Sequence, residues 1–131
     1  MGQSNIVLGE IDISSLLMAR AALGRSLAAE KNEFTRNSSI QCFEFTLELV
    51  WKTLKRVLEK KGVSATSPRD SFRLAARESL VQDPKEWFAY IELRNLSSHT
   101  YKEEVAEKIY RELSKFAQSV DIIIDRLRLV V

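Results

Sequence analysis

The most chemically suggestive residues of this 131-residue chain lie in one short polar segment, Arg94-Asn95-Leu96-Ser97-Ser98-His99-Thr100-Tyr101. His99 is the only histidine of the chain, and imidazole is the side chain that exchanges protons most readily near neutral pH. Arg94 keeps its charge, and its planar guanidinium matches two oxygens of a phosphate. These two residues are therefore suited to a metal-independent reaction in which an RNA 2′-hydroxyl attacks its own phosphate.

Helical geometry makes this pairing difficult within one chain. If one helix continues from Arg94 to His99, the two side chains point about 140° apart. Either the helix bends at Ser97-Ser98, or two copies meet at a twofold axis and line one cleft with both arginines and both histidines. We favour the second arrangement, in which Tyr101 shares a helix face with Arg94 and exposes its hydroxyl. The simpler alternative is that Arg94 and His99 only cap carbonyls or join surface ion pairs.

The counts of other residue types exclude several classes of function. Cys42 is the single cysteine, so neither an intrachain disulfide nor a paired-cysteine zinc site can form, which fits a reducing compartment. One histidine excludes multi-histidine metal centres, and the four glycines form no phosphate-binding loop. We therefore predict no metal site and no cofactor. The net charge of +2 and the lack of a long apolar run predict a cytoplasmic chain that does not contact a membrane.

Helix start signals predict five helices. Ser67 and Asp83 each stand directly before a proline, a pattern typical of a capped first turn. Capping-box patterns begin at Ser38 and Thr100, and Gly62 is a typical left-handed helix end. Together with a first helix, these signals predict helices over roughly 12–31, 38–62, 67–81, 84–98 and 100–128.

Apolar spacing predicts that these helices pack into a bundle. On the last helix, apolar side chains alternate steps of four and three residues from Ile109 to Leu127, which suits packing against other long helices. The predicted fold class is all-α, an antiparallel up-and-down bundle of about five helices without strands. We expect a single domain over 1–131 whose residues 1–10 are flexible or loosely ordered.

The second predicted helix carries a further candidate surface for RNA. Lys52, Arg56 and Lys60 recur every four residues and form a basic edge that could follow an RNA backbone. A solvated helix face explains the same spacing more simply. Glu44 and Glu48 lie one turn apart on this helix and are candidates to approach the Arg94 segment, although pairing of Glu48 with Lys52 is an adequate explanation.

Four segments occur in a characteristic order around the R-x4-H-x-Y pattern of Arg94, His99 and Tyr101. They read IQCFEFTLELVWKTLK at 40–55, SPRDSFRLA at 67–75, EW at 86–87 and RNLSSHTYKEE at 94–104. On these residues the chain resembles the HEPN proteins encoded beside minimal nucleotidyltransferases, the family of nucleotidyltransferase substrate-binding proteins. The resemblance covers most of 38–110 and does not extend to the chain ends.

This resemblance implies a HEPN-like homodimer that is a toxin-like endoribonuclease acting on RNA. His99 is then the general acid and base, Arg94 stabilises the phosphate, and Asn95 and Ser98 support them. The resemblance also implies a cognate minimal nucleotidyltransferase as antitoxin, which inactivates the protein by transferring AMP to Tyr101. A negative adenylyl group two residues from His99 would repel and block an RNA phosphate.

Two other interpretations of the same residues stay open. In one, the protein is a noncatalytic subunit that binds a substrate or nucleotide for a nucleotidyltransferase, and Arg94 and His99 are only ligands. In the other, the protein is a plain dimeric scaffold. Cleavage of RNA without a metal ion distinguishes the first hypothesis from both.

Overall fold

The computed structural model describes residues 4–130 and contains five α-helices. A short 3₁₀ turn, Ser97–His99, follows the fourth helix. The helices are α1 Ser14–Ala28, α2 Glu33–Lys60, α3 Pro68–Arg77, α4 Pro84–Leu96 and α5 Glu103–Leu129. The predicted all-α class and the number of helices are confirmed.

A β-hairpin precedes α1, where the sequence predicted no strand and a loosely ordered N-terminus. Strand β1, Ile6–Val7, pairs antiparallel with β2, Ile11–Asp12, across a turn in which Gly9 has a φ of 75°. Val7 and Ile11 are buried in the core. Two-residue strands give almost no sequence signal, and burial supplies the stability that an isolated hairpin lacks. Residues 1–3 of the predicted segment lie outside the described residues.

Helix α2 begins five residues before the predicted start at Ser38. The Asn32 side chain accepts hydrogen bonds from the backbone N–H groups of Phe34 and Thr35, and the Thr35 hydroxyl accepts from the N–H of Asn32. This reciprocal capping box satisfies donors that would otherwise be unpaired, so it determines where the helix starts. The additional residues extend α2 alongside the start of α5.

The start of α5 also differs from the prediction. Thr100 does not cap it. Instead, Thr100 ends the 3₁₀ turn, and α5 begins at Glu103 after Lys102, whose side chain makes no capping hydrogen bond. The residues between α4 and α5 therefore form a turn and a short connection rather than the beginning of a long helix.

An aromatic cluster joins four helices in the core. Phe43 of α2 and Phe116 of α5 meet edge to face with 4.8 Å between ring centroids. Trp87 of α4 stacks on Phe72 of α3 at 5.0 Å, and Tyr90 meets Phe116 at 5.0 Å. Such aromatic pairs add roughly 0.5–1.5 kcal/mol each beyond the burial of their surface. The cluster holds α2, α4 and α5 in fixed relative positions.

Helix α2 is central and contacts each of the other four helices. Its fully buried side chains include Phe43, Val50, Leu54, Val57 and Leu58, which form one apolar face of the helix. At its far end, Gly62 has the left-handed conformation predicted for a helix end, with a φ of 80°. Among residues 4–130 we find no helix that combines the length and the apolar character needed to cross a membrane.

Candidate functional site

A residue from α2 holds the guanidinium of Arg94. The Nη1 atom of Arg94 lies 3.1 Å from Oε2 of Glu44 and 3.2 Å from Oγ of Ser97. The Ser97 hydroxyl can donate to the same Glu44 oxygen or to the Arg94 carbonyl oxygen 2.6 Å away. The Arg94 side chain stays 49% exposed, so the orienting contacts leave guanidinium donors accessible to a ligand.

His99 and Tyr101 form a second, more exposed pair. The Tyr101 hydroxyl lies 3.5 Å from Nδ1 of His99, and the two rings meet edge to face with 5.9 Å between centroids. Tyr101 is 77% exposed, so its hydroxyl is open to solvent as the sequence predicted. The contact at Nδ1 leaves Nε2 of His99 as the ring nitrogen available to a substrate.

The chain between Arg94 and His99 is not one continuous helix. Helix α4 ends at Leu96 and a 3₁₀ turn, which winds more tightly, follows over Ser97–His99. Tyr101 consequently does not share a helix face with Arg94. Within residues 4–130 no hydrogen bond joins Arg94 to His99, so each belongs to its own pair.

The two predicted supporting residues make only local contacts within the described part of the chain. The Ser98 hydroxyl donates to the carbonyl oxygen of Asn95 at 3.2 Å, and both residues are exposed. Ser97 and Glu44 instead contact Arg94 directly. Ser97 follows Arg94 by three residues, a spacing that indicates contact on a helix, whereas only folding brings Glu44 to the site.

An ion-pair network around the buried side chain of Arg36 fixes the start of α5, just after Tyr101. The side chain of Arg36 is only 5% exposed, and its Nη1 lies 2.5 Å from Glu103 and 3.3 Å from Glu107. Lys31 also binds Glu107, at 2.7 Å. The hydrogen bond with Glu103 raises the pKa of Arg36, and those from Lys31 and then Arg36 lower the pKa of Glu107. The network therefore anchors one end of the segment that carries His99 and Tyr101.

An open groove lies between the first half of α2 and the 3₁₀ turn. It encloses about 390 Å³, within the size range of small-ligand pockets. Its lining includes Phe34, Asn37, Gln41, Glu44, Ser97 and Thr100. Glu44 and Ser97 belong both to this groove and to the Arg94 contacts, so a ligand in the groove lies beside Arg94.

Acidic neighbours neutralise two of the three cations on the predicted basic edge. Lys52 lies 3.1 Å from Glu48, and Lys60 lies 3.1 Å from Glu10 of the hairpin. Arg56 has no ion pair within residues 4–130. These pairs favour a solvated face over an RNA track, and the nucleic-acid role of this edge stays a prediction.

Other reactive groups in the described residues do not form a further centre. No group of three or more histidine, cysteine, aspartate or glutamate side chains within 4–130 could hold a metal ion. Partial burial raises the pKa of the Cys42 thiol, which makes it a weak nucleophile at neutral pH. Burial is also the main cause of the raised pKa of Tyr90, whose hydroxyl donates to Glu86 within the bundle.

The five-helix bundle, with an R-x4-H-x-Y segment that runs from the last turn of α4 to the connection before α5, defines a protein of the HEPN class. The family model described as "Nucleotidyltransferase substrate binding protein like" matches residues 12–129, and the chain belongs to this family. That range includes every residue of the Arg94 and His99 pairs.

Individual relatives agree with this assignment. The protein named "Probable ribonuclease HepT" of Haemophilus influenzae is 35% identical over 95 residues, which are 69% of this chain and 65% of that relative. The chain thus matches just under two thirds of the relative's length. A Thermus thermophilus protein of known crystal structure has a TM-score of 0.81 at 33% identity, covering 86% of this chain and 98% of that one.

A second solved structure comes from Haemophilus influenzae. It is described as revealing the fold of a substrate binding domain of a nucleotidyltransferase. Its TM-score is 0.81 at 27% identity, and the match covers 89% of this chain and 99% of that one. The names of these relatives point to two functions, RNA cleavage and substrate binding.

Proposed function

We propose that this protein is a toxin-like endoribonuclease of the cytoplasm, paired with a minimal nucleotidyltransferase, and that it cleaves RNA without a metal ion. The observation that carries the proposal is the accessible guanidinium of Arg94, which Glu44 and Ser97 orient. The exposed imidazole of His99 lies nearby in sequence, on the turn that begins with Ser97. Similarity to a relative named as a probable ribonuclease supports the same reaction class.

The reaction requires two proton transfers and stabilisation of negative charge. Nε2 of His99 accepts the proton of an RNA 2′-hydroxyl, whose oxygen then attacks the adjacent phosphorus. The bond from phosphorus to the 5′-oxygen breaks, and that oxygen takes up a proton. The products are a 2′,3′-cyclic phosphate and a 5′-hydroxyl. Arg94 donates to the nonbridging oxygens, on which charge builds up in the transition state.

A homodimer is part of the proposal because one chain supplies one histidine for two proton transfers. In a cleft shared by two copies, the second copy's His99 can donate to the leaving oxygen while the first accepts from the 2′-hydroxyl. Sedimentation should then give twice the chain mass of 15.0 kDa. If the protein stays monomeric at the concentration of the cleavage assay and still cleaves RNA, the shared cleft is wrong.

The decisive experiment compares purified wild type with His99→Ala and Arg94→Ala on RNA in the presence of a chelator. We expect His99→Ala to lower cleavage about 10²–10⁴-fold, because it removes the general base. Arg111→Ala, which removes an exposed arginine of α5 far along the chain from the site, is the matched control. If wild type leaves RNA intact, or if all four proteins cleave equally, the proposed activity is wrong.

Tyr101 is the proposed site of inactivation by the nucleotidyltransferase. Its hydroxyl oxygen attacks the α-phosphorus of ATP, pyrophosphate leaves, and the tyrosine proton is lost to solvent. The resulting phosphodiester places negative charge and bulk beside His99, which lies 3.5 Å from the unmodified hydroxyl. After coexpression with the nucleotidyltransferase, we expect an AMP adduct on wild type and on Tyr110→Phe, and none on Tyr101→Phe.

The second candidate function is that of a noncatalytic substrate-binding subunit of a nucleotidyltransferase. The family description and the Haemophilus structure favour it. It predicts that RNA stays intact while a nucleotide binds at Arg94. Calorimetric titration of ATP into wild type and Arg94→Ala tests it, because this candidate function requires binding that Arg94→Ala abolishes.

A further inference from the structure

We propose that the groove between α2 and the 3₁₀ turn is a subsite for one nucleobase, and that it prefers bases with an exocyclic amino group. The inference rests on the function proposed above, because it assigns the groove to the RNA base next to the scissile phosphate. It adds a specificity that Arg94 and His99 cannot provide, since both act on the backbone.

Phe34 offers the groove a flat surface on which a base can stack. Its side chain is 79% exposed although it belongs to the first turn of a long, capped helix. The capping box of Asn32 and Thr35 holds this turn in a fixed conformation, so the ring projects from a rigid backbone. Exposed aromatic rings of this kind stack on nucleobases in proteins that bind single strands.

The polar lining suits the edge of a base better than a phosphate. Within residues 4–130, both contacts to the carboxylate of Glu44 involve Oε2, so Oε1 is open to accept a hydrogen bond. Nε of Arg36 donates to Oδ1 of Asn37 at 3.4 Å, which leaves the Nδ2 donors of that amide for a ligand. Gln41 adds a second amide to the lining. Carboxylates and amides are among the side chains that read base edges.

The charge of Glu44 also determines which bases fit. A carboxylate oxygen accepts from an exocyclic amino group, such as those of adenine, cytosine and guanine. Uracil has no amino group, and the carbonyl oxygens on both sides of its single donor, N3–H, repel the carboxylate. Because Glu44 binds Arg94 at the same time, the base is placed directly beside the phosphate that Arg94 would hold.

The test measures binding to strands that cannot be cleaved. Fluorescein-labelled hexamers of deoxyuridine, with one internal position replaced by deoxyadenosine, deoxycytidine or deoxyguanosine, lack the 2′-hydroxyl that the reaction requires. Fluorescence anisotropy gives the affinity of each for wild type. We expect the three substituted hexamers to bind at least about fivefold more tightly than the deoxyuridine hexamer.

Matched variants on the same helix test the two parts of the subsite. Phe34→Ala should weaken the substituted hexamers at least about fivefold, whereas Phe45→Ala, which removes another exposed phenylalanine outside the groove, should not. Glu44→Gln should narrow the preference for amino-bearing bases, whereas Glu48→Gln should leave it unchanged. Phe34 is exposed, so its truncation leaves the core intact.

Three results would overturn the inference. Wild type could bind all four hexamers equally, Phe34→Ala and Phe45→Ala could bind alike, or Phe34→Ala could convert a dimer to a monomer, which would make this face a contact between copies. RNA cleavage is measured separately. If the protein cleaves no RNA but shows a base preference that depends on Phe34, the subsite is supported and the ribonuclease function is wrong. If the protein cleaves RNA but shows no such preference, the ribonuclease function is supported and the subsite is wrong.

Discussion

The two halves of α2 both carry charged side chains, but they use them differently. In the first half, Arg36 binds two carboxylates of α5 and Glu44 binds Arg94 of α4. In the second half, most charges pair one turn away on the same helix, as in Lys52 with Glu48 and Lys55 with Glu59. The first kind of pair fixes one helix against another, whereas the second joins two exposed residues of the same helix.

Differences in solvent exposure predict that the ion pairs of Arg36 stabilise the fold more than the pair of Lys52 with Glu48. The side chain of Arg36 is 5% exposed, whereas those of Lys52 and Glu48 are 53% and 55% exposed. Water and salt screen exposed pairs, which typically contribute roughly 0–1 kcal/mol. A cation that is removed from water depends on its partners. The sequence spacing of charges alone therefore does not show which of them hold two helices together.

The largest expected effect is on catalysis, where we expect substitution of Glu44 to slow RNA cleavage and substitution of Glu48, one turn away on α2, to leave it unchanged. Glu44→Ala releases the guanidinium of Arg94, and misplacement of such a group should lower kcat about 10–100-fold, whereas loss of the proposed base contact should raise KM for RNA by a smaller factor. Glu44→Gln should restore part of the rate, because its amide oxygen still accepts from Arg94. Cleavage rates measured over a range of RNA concentrations give kcat and KM for each variant.

Glu48→Ala is the control for this comparison. Its carboxylate pairs with Lys52 on the same helix and does not line the groove. We expect it to cleave like wild type. Equal losses in the Glu44 and Glu48 variants would show that the contact with Arg94 has no part in catalysis.

The next effect is on stability. Arg36→Ala removes charge-assisted hydrogen bonds that join α2 to α5 and should lower the free energy of unfolding by about 1–3 kcal/mol. Lys52→Ala should change it by less than about 0.5 kcal/mol. Urea unfolding followed by circular dichroism gives both values. The comparison fails if the two variants unfold at the same urea concentration.

The smallest effect is a dependence of stability on pH. The pKa of Glu107 is lowered from its usual 4.5, first by the hydrogen bond from Lys31, so its ionised form favours the folded state. Its contribution is complete above that value and is lost as the pH falls through the lower pKa of the folded protein. Glu107→Gln should therefore melt below wild type at pH 7.

The difference in melting temperature between Glu107→Gln and wild type should shrink as the pH is lowered past about 4.5. Glu59→Gln, which breaks an exposed pair within the second half of α2, is expected to change the melting temperature less at pH 7. A constant difference for Glu107→Gln across this pH range would contradict the assignment of the stabilisation to its charge.

Local sequence signals predicted the starts of α3 and α4 correctly but did not predict the start of α2 or the N-terminal hairpin. Pro68 and Pro84 begin helices as expected, because a fixed φ and a capping side chain act within one turn. The true start of α2 was missed because two capping patterns stand six residues apart, at Asn32 and Ser38. The hairpin was missed because its strands depend on burial against the bundle rather than on their own pairing.

The sequence by itself determined the residue types of the candidate site and their order along the chain. The single histidine, the arginine five residues before it and the tyrosine two residues after it are visible without coordinates. Apolar periodicity likewise determined that the chain is a helical bundle, because the hydrophobic effect acts on the pattern of a helix face.

Only the tertiary structure decided which side chains surround those residues. Glu44 and Arg94 are 50 positions apart, and Arg36 and Glu103 are 67 apart, so no local rule could pair them. Their contacts arise because packing of the aromatic core sets α2 against α4 and α5 at one distance and orientation. The groove lined by Phe34 exists for the same reason.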